Sequence, residues 1–342
     1  MREVTCPKVS IIIPTLNADG ILEVCLRSIA ALDYPATAME ILVVDGGSSD
    51  STRDIAARFR AKILENIERV AESGKRIAVL QATGDYLLFL DADNEVSHPD
   101  FLSLAIPELE KNPNLLGLES YYLASPQMSS FCAYLTSTLH ISDPVSWMMS
   151  TSPVLVKRTG PAEIWEFPAN SRAYPLGANG FILRRSDLLS IKANEYFEDT
   201  VMVLKLAQAG RTQWLRIHGR GIHHYIVAGL GDFLKKRRRQ TYHFLSQRSR
   251  PNQPPSWTKS NPTIPGWLAC LACASVIVPF CQMLGGLLRT KDWRWLWHPL
   301  ACFVSVMGVC WGVATFVLSR RTAEAEARLQ PKQKITASKS DS

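Results

Sequence analysis

The stretch YLLFLDADNEV, residues 86–96, decides how this chain is read. An apolar run leads straight into Asp91 and Asp93, one residue apart. The apolar part has the length and composition of a buried strand. Carboxylates at the end of such a strand are costly unless something cationic meets them. Asp-x-Asp in that position offers hard oxygen ligands to Mg²⁺ or Mn²⁺ and leaves positions open for phosphate oxygens and water. A solvated Asp-rich turn uses the same letters, so the motif alone leaves both readings open.

Working outward, residues 9–17 read VSIIIPTLN, a short apolar run closed by Pro14 and Asn17. The next segment, GILEVCLRSIAAL, repeats apolar residues at helical spacing. EILVVDGGSSDST places Asp45 at the end of a second buried strand, followed by turn and helix-cap residues. Alternating strands and helices, with strands apolar throughout, predict an α/β fold built on a mostly parallel sheet covered on both faces. Ligands of such sheets bind beyond the carboxyl ends of the strands, where Asp45, Asp91 and Asp93 all fall. Neither G-x-G-x-x-G nor a complete P-loop is present around these strands. Lys75 and Arg76, in ESGKR, can still meet a pyrophosphate as point charges.

In order along the chain, VSIIIPTLN, EILVVDGGSSDST, SGKRIAVLQATGDYLLFLDADN, GANGFILRR and YFEDTVMVLKLAQAG resemble the family 2 glycosyltransferases. The resemblance implies a GT-A nucleotide-binding fold and inverting transfer from a UDP- or GDP-linked nucleotide sugar with Mn²⁺ or Mg²⁺. It implies that Asp45 contacts the nucleobase and that Pro14, Thr15 and Asn17 line the pocket. Asp91 would sit by the ribose and metal, with Asp93 on the metal and Lys75 near the diphosphate. Asp199, in FED, matches the position of the catalytic base, and Glu198 is its neighbour. An N-terminal helix cap is the structural alternative for this pair. Gly177, Asn179 and Gly180 would shape the acceptor side. In GIHHYIV, His224 aligns better than His223 with a metal or diphosphate contact, and a packed, hydrogen-bonded histidine fits it as well. No Q-x-x-R-W follows FED, which points to transfer of a single sugar rather than polymerisation. Trp147 and Trp165 read as core or interfacial anchors rather than sugar platforms.

The C-terminal third differs in composition. Residues 266–288 and 299–319 contain no charged side chain, and each matches the roughly 20 residues that cross a bilayer as a helix. Pro279 is expected to kink the first, and Gly285, Gly286, Gly308 and Gly312 suit close helix packing. Much of the net charge of +7 lies just before these segments, in KKRRR at 235–239 and in Arg248, Arg250 and Lys259. That distribution predicts both flanks on the cytosolic side of the inner membrane. Anionic headgroups, not nucleic acid, are the expected partner of the basic region. The expected organisation is a catalytic domain at 1–247, a proline-rich linker at 248–265, a two-helix transmembrane hairpin at 266–319 and a polar tail at 320–342. Five of the eight cysteines fall within the two apolar segments, so neither a disulfide framework nor a zinc site is expected. The N-terminus carries no signal-peptide pattern.

A membrane-associated acceptor follows from this layout: a polyprenyl phosphate, a lipid-linked glycan or a membrane lipid. Two rivals remain at this stage. One is a haloacid-dehalogenase-like phosphatase, whose D-x-D-x-T is met here by Glu95 in place of Thr. The other is a protein that binds nucleotide sugar without turnover.

Overall fold

The computed structural model describes residues 6–139, 143–150, 152–167, 176, 179–193, 197–248 and 264–329. The chain opens with β1 (Val9–Thr15), α1 (Asp19–Ala30), β2 (Met39–Asp45), α2 (Thr52–Arg58), β3 (Lys62–Glu65), α3 (Ala71–Gln81) and β4 (Tyr86–Phe89). It continues through β5 (Asn94–Val96), α4 (Phe101–Lys111), β6 (Leu118–Glu119), β7 (Tyr121–Tyr122), α5 (Ser130–Ala133) and a π-helical turn at Tyr134–Thr138. Then come α6 (Pro144–Met149), β8 (Val154–Thr159), β9 (Ala162–Glu166), β10 (Phe181–Arg184), α7 (Arg185–Ser190) and α8 (Asp199–Gln208). After β11 (Gln213–Ile217) and β12 (Gly221–His224) the helices α9 (Leu230–Arg248), α10 (Gly266–Ala274), α11 (Ile277–Thr290) and α12 (His298–Leu329) complete the described chain.

Among the described residues the main sheet has nine strands, in the order β3-β2-β1-β4-β10-β6-β11-β9-β8. Its first four strands are parallel, as the continuous apolar runs predict. Ile11, Ile13, Val43 and Leu88 pack with Leu22, Leu26 and Phe101 on one face. Ile12, Leu42, Val44 and Phe89 pack with Val79, Met202 and Leu206 on the other. Alternate residues of one strand thus feed two cores, so no position between them is polar by default. The expected mostly parallel sheet needs correction in its other half. There β10 runs antiparallel to both β4 and β6, and β9 runs antiparallel to both β11 and β8. The two residues of β6 are too few to show any period in sequence.

A second sheet, β5-β12-β7, lies beside the site. Its strands approach unusually closely: a Cβ at Gly221 would meet the Tyr121 carbonyl oxygen at 2.0 Å. Only glycine fits there. Trp147 packs with Phe131, Tyr134 and Trp295, and Trp165 packs beside Trp214. Both tryptophans are partly buried and packed against a core.

The C-terminal segment departs from the expected two-helix hairpin, in which Pro279 kinks the first span. Trp293–Arg320 is long and apolar enough to cross a membrane, with a mean hydropathy of 2.1. The first apolar segment is broken into α10 and α11, which meet at 83°. The cause is Pro279. It has no N–H to offer the Ser275 carbonyl, and its ring clashes with that group in a continuous helix. Ser275 accordingly turns extended (ψ 144°) as the C-cap of α10, and its hydroxyl accepts from Val278 N at 3.2 Å. The expected proline-rich linker lies almost wholly outside the described residues, as does most of the polar tail.

Candidate active site

The crevice forms where β1 and β4 part. Their ladder ends with Ile12 opposite Phe89 and with Leu90 N donating to Ile12 O at 2.9 Å. The next β1 residue that would face β4 is Pro14, which has no N–H to continue the ladder. Chain order also reverses here, since β2 lies on one side of β1 and β4 on the other. This is the switch point at which open α/β sheets bind ligands.

On the β2 side, Asp45 is fully buried at the strand end. Its carboxylate accepts from the Ser48 hydroxyl, from Ser48 N at 3.1 Å, from Gly47 N at 3.2 Å and from Arg53 at 3.2 Å. Thr15 Oγ1 donates to it at 3.4 Å. Burial works to raise the Asp45 carboxyl, but these donors outweigh it and hold the group below the ordinary aspartate range. A carboxylate has about four lone-pair sites, so its acceptor capacity is taken up by its own turn. Asn17 completes that turn in the left-handed conformation (φ 50°). Its side chain accepts from Ser49 N at 2.9 Å, and its backbone N–H donates to Ser48 Oγ at 2.8 Å.

On the β4 side, Asp91, Asp93 and His224 bring one ligand atom each within 4.8 Å of one another. β12 pairs His224 with Asn94 of β5, which places the imidazole over the Asp-Ala-Asp turn. His223, one residue earlier, faces away and its Nδ1 lies 2.9 Å from Leu123 O. Strand alternation thus settles which histidine joins the cluster. His224 Nε2 stands 3.5 Å from Asp93 Oδ1, and among the described residues that buried oxygen has no hydrogen-bond partner. A buried carboxylate oxygen without a hydrogen bond is expensive. Two carboxylates and an imidazole around it are a donor set that suits Mg²⁺ or Mn²⁺. Burial tends to raise the Asp93 carboxyl, but the facing His224 ring and the charge of Lys236 hold it below the usual value.

Two lysines face this cluster. Lys75 is buried on α3, with Nζ 3.8 Å from Asp91 Oδ1. Gly74 beside it sits close to β2: a Cβ there would stand 3.4 Å from Val44 Cγ1 and 3.2 Å from the Asn66 amide. Lys236 comes from α9. Burial draws its ammonium below the usual lysine range, while Asp93 and Asp91 oppose that. Sequence reading grouped Lys236 with the basic run; its helical phase within KKRRR was the signal that singles it out. Arg76 instead pairs with Glu68 at 3.0 Å.

Asn179 sits beneath the turn. Its Oδ1 accepts from Asp91 N at 3.2 Å and from Asn94 Nδ2 at 3.0 Å, and its Nδ2 donates to Asn94 Oδ1 at 3.3 Å. Gly180 follows with φ +73°, and its N–H donates to Phe89 O at 2.7 Å. Both residues lock β10 against the Asp-Ala-Asp turn. Gly177 lies outside the described residues.

The FED segment is carried to the same place. Phe197 packs on Phe89, with ring centroids 5.2 Å apart, two residues before Asp91. Glu198 is the N-cap residue of α8; among the described residues its side chain makes no capping bond but accepts from Thr200 Oγ1 at 3.5 Å, and its carbonyl accepts from Met202 N at 3.0 Å. Asp199 is the first residue of α8, and its side chain lies outside the described part.

Comparisons with known proteins bear on this geometry. The family described as Glycosyl transferase family 2 matches residues 10–123, which include Pro14, Asp45, Lys75, Asp91 and Asp93. A PGL/p-HBAD biosynthesis glycosyltransferase of Mycobacterium bovis is 42% identical over 103 residues, covering 28% of this chain and 40% of its own. Glycosyltransferase AglE of Haloferax volcanii is 34% identical over 95 residues, covering 26% and 31%. The poly(ribitol-phosphate) beta-N-acetylglucosaminyltransferase TarS of Staphylococcus aureus is 33% identical over 96 residues, covering 26% and 17%. The chain thus spans less than half the length of each of these relatives. Among solved structures, the mannosyltransferase PcManGT of Pyrobaculum calidifontis superposes with a TM-score of 0.51 at 18% identity, covering 90% of this chain and 88% of its own. That likeness gives the fold: an α/β GT-A type with a mixed sheet and flanking helices. Residues 10–123, which build the crevice, are thus similar in sequence to the glycosyl transferase family 2 domain.

Proposed function

We propose that the protein is an inverting, metal-dependent glycosyltransferase that moves a single sugar from a UDP- or GDP-linked nucleotide sugar to a membrane-associated acceptor. One observation carries the reading: Asp93 Oδ1, buried and without a hydrogen-bond partner among the described residues, clusters with Asp91 and faces the His224 imidazole at 3.5 Å at the mouth of the β1/β4 crevice. The mannosyltransferase of like fold was solved with GDP-Man and Mn²⁺, which supports the donor class and the ion.

Asp91, Asp93 and His224 would hold Mn²⁺ or Mg²⁺, which supplies positive charge at the departing nucleoside diphosphate. Lys75 and Lys236 flank the carboxylates and add two cationic partners for the phosphate oxygens. The turn of Asp45, Thr15 and Asn17 forms the nucleoside side, where Asp45 exchanges one of its present donors for the base. Asn179 and Gly180 keep Asp91 at a fixed place on the strand end. Glu198 and Asp199, at the start of α8, supply the base that takes the proton of the attacking acceptor hydroxyl. An acceptor that is already a phosphate needs no such base, and the pair then positions it.

The apolar C-terminal helices and the basic α9 support a site at the cytosolic face of the inner membrane, with the acceptor a polyprenyl phosphate, a lipid-linked glycan or a membrane lipid. The test is release of nucleoside diphosphate by detergent-purified full chain, with Mn²⁺ and a panel of UDP- and GDP-sugars, with and without polyprenyl phosphate. Turnover from one donor that falls at least a hundredfold in Asp93→Ala is expected. No turnover from any donor would leave a binding protein in place of an enzyme. Asp199→Asn is expected to keep donor binding and lose transfer to a hydroxyl acceptor; loss of donor binding would make the residue a structural cap.

A further inference from the structure

The outward surface of the C-terminal helices carries an inference that stands whether or not the protein is a transferase. α12 has two faces. Ala301, Cys302 and Ser305 are fully buried, and Gly308 and Gly312 continue that stripe. Leu300, Phe303, Met307, Trp311, Val317 and Leu318 are 41–62% exposed at helical spacing on the other side. The outer faces of α10 and α11 extend this apolar surface through Trp267, Leu271, Ile277, Phe280 and Leu288. Such a continuous exposed patch calls for a partner.

The buried stripe shows what a spanning α12 would have beside it. A Cβ at Gly308 would meet Arg237 Cβ at 2.5 Å, and one at Gly312 would meet the Arg238 carbonyl at 2.7 Å. The two backbones therefore touch, and α9, the helix of KKRRR, lies directly along α12. Arg238 stacks over Trp311 at 4.7 Å. The Arg237–Asp143 pair, 3.1 Å apart, is tied to Ser305 by a 2.6 Å hydrogen bond. Gly308 is near the middle of the apolar run Trp293–Arg320. A helix standing along the bilayer normal would thus place α9 at the hydrocarbon centre. The Lys235 side chain, 75% exposed and one residue from Leu234, which contacts Gly308, would face lipid there, as would the exposed Arg239.

We propose that α10, α11 and α12 do not cross a bilayer but lie in its surface, with their shared apolar face sunk into one leaflet. The occupant of that face is an anionic phospholipid membrane. Exposed cations rim it: Lys235 and Arg239 on α9, and Arg289 and Lys291 at the end of α11. Trp267, Trp293 and Trp311 stand on it as interfacial residues do. The 83° bend between α10 and α11 suits this arrangement, since a bent pair lies flat more readily than it spans. Catalytic domain and inter-helix loop are then on the same side.

The side of that loop is measurable. In the full chain with Cys6, Cys281 and Cys310 replaced by serine, single cysteines are introduced as Lys291→Cys, in the loop, or Lys111→Cys, on α4. Inverted inner-membrane vesicles from a bacterial expression host are treated with a membrane-impermeant maleimide, with and without detergent, and the parent background serves as blank. Equal labelling of both cysteines, with no gain on adding detergent, is expected. Lys291→Cys labelling that rises several-fold only with detergent, while Lys111→Cys is labelled at once, would overturn the proposal in favour of a spanning hairpin. Purified protein is also floated with vesicles of equimolar phosphatidylcholine and phosphatidylglycerol. Failure to float, together with self-association in solution, would assign the face to a second copy instead.

Discussion

His224 and Asn179 show how single residues divide the work at the crevice. His224 stands over Asp93 because β12 pairs with β5 in the register His224↔Asn94. Asn179 does its work from below, through the Asp91 N–H and the Asn94 amide. Its sequence context suggested the acceptor side; its contacts hold the Asp-Ala-Asp turn in place, and in the proposed site they would support a metal ion there. Supports of this kind typically cost 10–100-fold in metal affinity when removed. Asn179→Ala is therefore expected to weaken Mn²⁺ binding, titrated in the presence of nucleoside diphosphate, by about tenfold or more. Unchanged Mn²⁺ affinity with a raised acceptor KM would return the residue to the acceptor side. Asp45, Asp91 and Asp93 were legible from sequence because each ends an apolar strand. The state of Asp45 was not, because its saturation depends on Arg53 and Ser48 folding back onto it.

At the scale of elements, legibility followed period and length. The runs that became β1, β2 and β4 are apolar throughout and were readable as a parallel sheet. β6 and β7, two residues each, take their places from long-range pairing alone, and the β8–β9 hairpin joins the sheet only through the pairing of β9 with β11. The break between α10 and α11 was foreshadowed by Pro279, but its angle is set by what the helices pack on. Ala269 and Cys273 of α10 meet Val145 and Met149 of α6, while Met283 of α11 meets Phe131 and Trp295. Asp143 ties these elements together, accepting from Ser146 N at 2.8 Å and Ser305 Oγ at 2.6 Å beside Arg237. It thereby fixes α9, and with it the approach of Lys236 to the site. Burial works to raise the Asp143 carboxyl, but Arg237 and the two serines hold it below the usual range. A depressed folded-state pKa contributes stability above the unfolded value that is lost as pH falls through the folded one. Asp143→Asn leaves a buried arginine without its charge partner, which costs about 3–5 kcal/mol near neutral pH. Urea unfolding in detergent should show that gap at pH 7 and a narrowing gap below about pH 4. A gap independent of pH would mean that the ion pair is not its source.

For the whole molecule, two halves meet at α9. One face of this helix delivers Lys236 to the carboxylates, and another lies against the glycine stripe of α12. The apolar surface beyond α12 and the crevice of the sheet are therefore joined by one rigid element. This placement would bring a membrane-borne acceptor and a soluble donor to the same strand ends. None of it was legible from composition, which showed only that basic and apolar segments adjoin. The proposed chemistry depends on an ion held by Asp91, Asp93 and His224. The most direct measurement is the Mn²⁺ electron paramagnetic resonance titration of the full chain with UDP or GDP present, repeated on Asp93→Ala and His224→Ala. Bound Mn²⁺ in the parent chain is predicted, with affinity lowered about tenfold or more in each variant at unchanged circular dichroism. Equal Mn²⁺ binding by the parent chain and Asp93→Ala would contradict the assignment of the site.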